Sequence, residues 1–266
     1  MKEVNQPFGI FAMDYRHVGE LKKEMRVDYD MAAPAKIFTG EKHVVVISVS
    51  GVINFAYTQY LKAHIANAVS EESVSEIVLD IQSPGGSVFG VQELADFIYQ
   101  SRSAKKITAF ANPYAASAAF FIGAAASRFI ALPSAEVGSI GVFAMHLDMS
   151  GMLEQDGVKV TFVYAGENKI EGNAYQPLSE SAKSNMQEQV ESYYQIFTGA
   201  VASYRNVSQK TVLDSYGKGR MIGAENAVKI GMIDAVALTP FEFKQPNARN
   251  IRLKQATNRL KLLEIE

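Results

Sequence analysis

Two runs rich in branched aliphatic residues, HVVVISVSG at 43–51 and EIVLDIQ at 76–82, constrain this chain most. Neither alternates apolar with polar residues in the way a strand with one wet face does. Near-continuous apolar runs of this length mark strands covered on both faces, and such strands require helices above and below them. The stretch between them supplies one, because Tyr57, Leu61, Ile65 and Val69 share one stripe of a helix over 55–69. A helix over 88–102, a strand over 106–111, an alanine-rich helix over 115–126 and a strand over 128–132 continue the alternation. The pattern predicts an α/β domain built from right-handed crossovers. SIGVFAM (139–145) and KVTFVYA (159–165) read as further strands on either side of a short helix over 147–156.

Past residue 165 the texture changes. AGENKIEGNAYQPLS (165–179) is a polar loop, and Ser179 is placed to cap a long helix over about 180–205. A shorter helix (208–216) and a strand near 232–238 follow. The expected organisation is an N-terminal arm over 1–41, a main domain over 42–240 and a basic tail over 241–266. The tail carries Lys244, Arg249, Arg252, Lys254, Arg259 and Lys261 and reads as solvated surface.

Composition removes several kinds of chemistry. The 266 residues hold no Cys, so disulfides, thiolate metal sites and a cysteine nucleophile are excluded. The four His (His17, His43, His64 and His146) are not spaced as a ligand pair, and neither a metal nor a cofactor is expected. A formal charge of −2 gives no electrostatic footprint for nucleic acid. The uncharged stretch 107–127 is long enough to span a bilayer. Asn112-Pro113 divides it, however, and its Ala and Ser residues contribute little to insertion. A buried strand and a buried helix are expected there instead. No integral membrane segment is expected, and the location is read as cytoplasmic.

Chemistry then has to come from Ser, Lys, carboxylates or the backbone. Ser83-Pro84-Gly85-Gly86-Ser87 follows a strand and precedes a helix, the edge at which open α/β sheets bind ligands. Its glycines let the backbone turn sharply and leave amides open to a substrate oxygen. The plain alternative is an ordinary strand-to-helix turn. Tyr114-Ala115-Ala116-Ser117-Ala118-Ala119 sits in the same setting one strand later, with small residues on both sides of the hydroxyl. Its alternative is a serine in a tightly packed helix start. Together the two describe a nucleophile beside an oxyanion hole. A serine needs a base, and Lys169 in the polar loop is a candidate when held away from water; spacing alone does not bring it to Ser117.

LDIQSPGGSV, followed by ANPYAASAAFFIGAAASRFIALPSAEVGSIGV, FVYAGENKIEGNAYQPLSE and GRMIGAENAVKIGMID, resembles the signal peptide peptidase A (protease IV-like) family of serine peptidases over residues 43–238. The resemblance implies a ClpP/crotonase-like fold of repeated ββα units with a long helix after the catalytic loop. It also implies a Ser–Lys dyad, with Ser117 as nucleophile and Lys169 as general base. The oxyanion donors would be the amides of Gly86 and Ala118, with Gly85 and Ser87 as substrate-binding positions beside them. Family members form rings whose subunits complete one another's sites, so Ser117 and Lys169 are expected to meet across an interface.

Cellular members carry an N-terminal membrane anchor that has no counterpart in these residues, which points to the bacteriophage branch. There the enzymes process head proteins during prohead maturation, in the host cytoplasm or inside the prohead, with capsid, portal or scaffold proteins as partners. About 28 residues follow the resemblance, so a scaffolding extension is expected to be absent, truncated or separately encoded.

Four other readings stay open at this point. One is a non-catalytic capsid-assembly scaffold, and another a cellular peptidase degrading signal peptides. A third is an acyl-CoA enzyme using the same amides. The last is a Ser–His–Asp protease, for which a His near 138–142 is missing and His146 with Asp148 is the nearest pair.

Overall fold

The aliphatic runs form the middle of one sheet, and the helices cover the face that carries most of their side chains. In the computed structural model, residues 8–13, 34–39 and 42–241 are described. In chain order the elements are β1 (Phe8–Met13), β2 (Ala35–Thr39), β3 (Lys42–Ile53), α1 (Phe55–Ser70), β4 (Val74–Ser87) and α2 (Val91–Ser101). Next come β5 (Lys106–Ala116), α3 (Ala118–Ala124), β6 (Arg128–Ala131), β7 (Glu136–Gly138), β8 (Phe143–His146) and α4 (Ser150–Gln155). The chain continues through α5 (Glu180–Arg205), α6 (Gln209–Ser215), β9 (Met221–Gly223), α7 (Ala224–Lys229) and β10 (Ala235–Val236).

Strands β3, β4, β5, β6 and β10 pair in parallel, as the crossover pattern requires. Val45, Ile47 and Val49 on β3, Ile77, Leu79 and Ile81 on β4, and Ile107, Ala109 and Ala111 on β5 belong to the large core shared with α1, α2 and α3. Their alternating neighbours Val44, Val78, Phe110 and Ile130 form a smaller cluster against Ala235 and Phe241. One face of the central strands is therefore dry throughout and the other is dry where Val44, Val78 and Phe110 sit, with Ser48 and Gln82 exposed beyond them; this accounts for the weak polar alternation in the sequence. This layering is the ClpP/crotonase-like α/β fold.

Five expectations shift. β4 does not end before SPGGS but runs through it, and β5 continues through Asn112-Pro113, a cis bond, to Ala116. The alanine-rich helix accordingly starts at Ala118 and not at 115. The segment 139–145 is a strand only from Phe143, as β8. KVTFVYA forms no strand, and Val163 is 99% exposed. A strand needs a partner for its backbone N–H and C=O groups, and no described strand of this chain lies beside it. The basic tail from residue 242 lies outside the described residues, whereas part of the N-terminal arm is woven into the sheet as β1 and β2.

The long helix α5 is set where predicted. Ser179 accepts a hydrogen bond from the Ala182 N–H (3.1 Å), and Phe197 stacks on Phe121 of α3 at 4.6 Å between ring centres. At its far end Arg205 grips Asp234 through both terminal nitrogens (2.6 and 3.1 Å), and the same carboxylate accepts the Phe129 N–H at 2.6 Å. Burial pushes the Asp234 pKa up, but the guanidinium and the amide outweigh it and hold the carboxyl below its ordinary value. The clamp's stabilisation is thus complete above the ordinary Asp range and is lost as pH falls through the depressed native value. Asp234→Asn should cost about 2 kcal/mol at pH 7 by urea unfolding. The gap between variant and wild type should begin to narrow below about pH 4, where the unfolded carboxyl takes up its proton, and close once pH falls below the depressed native value.

Candidate active site

Ser83 of β4 lies opposite Ala115 of the parallel neighbour β5, so both strands leave the sheet at one edge. Gly86 is three residues beyond the first and Ser117 two beyond the second. The SPGGS corner is tied down by a buried hydroxyl: Ser83 Oγ donates to the Gly51 carbonyl (2.7 Å) and accepts the Gly85 N–H (3.1 Å). Gly85 has φ +94°, a conformation that side chains disfavour. Gly86 faces β3 so closely that a Cβ would lie 1.9 Å from the Ile53 carbonyl oxygen. The glycine is therefore demanded by packing, whatever its amide does.

Ser117 joins β5 to α3 with φ +53° and ψ −117°, a region that residues other than glycine occupy only under strain of about 1–3 kcal/mol. Its N–H donates to the Gly138 carbonyl (2.7 Å) and its carbonyl accepts the Phe121 N–H (2.9 Å), which holds the turn on both sides. The hydroxyl makes a long 3.4 Å contact with the Gly141 carbonyl. Ala115, Ala116, Ala118 and Ala119 surround it, all fully buried, and Ser117 itself is 0% exposed. A strained, sharp strand-to-helix turn presenting a serine, with Ala118 next in line, has the form of a nucleophile elbow.

Ser179 caps α5 and the Ser127 hydroxyl accepts the Ile107 N–H. Ser139 is buried with φ +53°, but it lies in the segment after β7, where its N–H donates to the Arg220 carbonyl, and not at a strand-to-helix turn. Ser134 stands exposed in the turn after β6. His146 Nε2 lies 2.8 Å from the Asn173 carbonyl, and Asp148 accepts from the N–H and hydroxyl of Ser150 at the start of α4. That pair serves a strand end and a helix start, and forms no hydrogen bond with Ser117.

Lys169 is exposed on a turn, its N–H donating to the Gly166 carbonyl (3.1 Å). No hydrogen bond joins it to Ser117 within the chain, so the structure brings together Ser117, Ala118 and the SPGGS corner but not the lysine. An apolar pocket next to Ser87 escaped the sequence reading. Val88, Phe89, Phe121, Val142, Tyr193 and Phe197 line it, drawn from four separate parts of the chain. Among the described residues no group of three or more His, Asp or Glu could hold a metal, and no helix is long and apolar enough to cross a membrane.

The model of peptidase family S49 matches residues 99–240, more than half of the chain and all of the segment from Ser117 to Lys169. The chain belongs to peptidase family S49. The Clp protease model also matches residues 37–138. Capsid assembly protease C of Escherichia phage lambda is 33% identical over 172 residues, covering 65% of this chain and 39% of that protein. Head-tail preconnector protein GP5 of Enterobacteria phage P21 is 29% identical over 212 residues, covering 76% and 42%. The chain thus spans about two fifths of the length of these curated relatives. Among solved structures, the 1510-N membrane-bound stomatin-specific protease superposes with a TM-score of 0.50 at 16% identity, over 76% of this chain and 82% of that one.

The elbow makes a stability prediction separate from catalysis. Ser117→Gly relieves the positive φ, while Ser117→Ala keeps it. Ser117→Gly should therefore be the more stable of the two by about 1 kcal/mol in urea unfolding, the cost of holding a Cβ in that conformation.

Proposed function

We propose that this S49 chain is a serine endopeptidase that works through Ser117 and Lys169 and processes phage head or scaffold proteins during prohead maturation, in the host cytoplasm or within the prohead. The observation that carries the reading is the strained, enclosed Ser117 turn at the same sheet edge as the Gly86 corner. The names of the two phage relatives support the choice of substrate class.

In this mechanism Lys169 removes the Ser117 proton as Oγ attacks the scissile carbonyl. The Gly86 and Ala118 amides hold the resulting oxyanion, and the lysine ammonium then protonates the leaving amine. Water, activated by the same amine, hydrolyses the acyl-serine. Each oxyanion donor is worth about 100- to 1000-fold in rate. Gly85 and Ser87 bind the substrate backbone, and the apolar pocket beside Ser87 takes a substrate side chain.

A lysine amine acts as a base near neutral pH only when it is removed from water. The exposed position of Lys169 in the single chain therefore makes a covering neighbour part of the proposal. The segment before it favours the same view: 159–165 has a strand's composition, pairs with no described strand of its own chain and exposes Val163 and Tyr164. A homo-oligomeric ring in which 158–169 docks on a neighbour would bury these residues and deliver the lysine to the next subunit's Ser117.

Purified wild type, Ser117→Ala and Lys169→Ala should be incubated with casein and with head proteins encoded beside this chain, and the products read by mass spectrometry. Cleavage by the wild type alone is expected. No cleavage by any of the three, all folded and assembled, would favour a non-catalytic scaffold. Mixing the two inactive variants and reassembling them tests the shared site. A random mixture should recover roughly a quarter of wild-type activity, because that share of interfaces pairs an intact Ser117 with an intact Lys169. A site contained in one subunit would recover none.

A further inference from the structure

The sheet holds one strand that the peptidase reading leaves unused. β1 lies between β4 and β8, antiparallel to both. On one side Phe11, Ala12 and Met13 face Ser87, Gly86 and Gly85; on the other Phe8, Gly9, Ile10 and Phe11 face His146, Met145, Ala144 and Phe143. Neighbouring strands sit about 4.8 Å apart, so without β1 the end of β4 and β8 would border a slot one strand wide. Such a slot offers a row of backbone donors and acceptors on each side and selects one kind of occupant, an extended peptide. β8 has no other strand partner among the described residues, so β1 is what holds it in the sheet. The slot's inner wall is the glycine corner itself, with Ala12 directly opposite Gly86, and Ser117 beside that corner is fully enclosed.

We infer that residues 8–13 are a built-in pseudosubstrate: the chain's own N-terminal segment fills the groove that an extended polypeptide substrate must enter, and substrate binds by replacing it. This rests on the reading of Gly86 and Ser117 as oxyanion donor and nucleophile. Competition arises because β1 uses the same backbone positions that a substrate strand needs, and an intramolecular segment competes at an effective concentration of about millimolar or above.

The test uses the full chain with Ile10→Pro or Ala12→Pro, since proline removes a strand donor and fits poorly in a strand paired on both sides. Hydrogen exchange reports the pairing without any need for turnover. Amides of 143–146 should lose at least about tenfold protection in both variants. Labelling of Ser117 by a fluorophosphonate should speed up by a similar factor. A synthetic peptide of residues 8–13, added to either variant, should restore protection and slow labelling again, while a scrambled peptide should do neither; this return also shows that the variants are folded. Unchanged protection at 143–146 would overturn the inference, as would lost protection with unchanged labelling. If wild type and variants all fail to label, the nucleophile assignment falls, and exchange with peptide rescue still decides whether β1 occupies the slot.

Discussion

Everything at the candidate site hangs on one close approach, the Ile53 carbonyl of β3 lying where a side chain on Gly86 would have to be. Because no Cβ fits, β4 can stay paired to β3 to its last residues and does not peel away as a loop. The Ser83 hydroxyl, bridging Gly51 and Gly85, fixes the corner where the ladder slips register between Ser50 and Val52. With β4 held, β5 runs beside it to Ala115 and pairs with β7 through Ala116, and the chain has no room for a gradual turn into α3. The strain at Ser117 follows from that geometry, and two hydrogen bonds to its backbone sustain it.

The central strands and helices were legible because their signal is local. Val45, Ile47 and Val49 alternate with Val44 and Val46 across the two faces of the sheet, and Leu61 with Ile65 marks a stripe that only a helix presents. The two motifs were legible as strand-to-helix corners for the same reason, although a β-strand running straight through Pro84 and Pro113 contradicts the usual reading of proline as a stop. The tight turn at Ser117 was legible from the small residues around it, since Ala on both sides is what a crowded strand-to-helix turn accommodates.

What stayed hidden depends on partners distant in sequence. KVTFVYA has every local mark of a strand and is not one in this chain, because strand formation is decided by what lies alongside. β1 is the reverse case: FGIFAM is short, interrupted by glycine and set in mixed sequence, and its place comes wholly from two strands that begin more than 60 residues later. The Lys169 assignment rests on family resemblance and not on periodicity, and a single chain leaves it apart from Ser117.

The exposed stretch ending at Tyr164 also bears on timing. With the proposed site shared between subunits, the chain is inert while dilute, since mass action decides how many seams exist. Confinement in a small volume raises the local concentration and favours the seam there, so accumulation of copies would act together with displacement of β1 in setting where and when the chemistry runs.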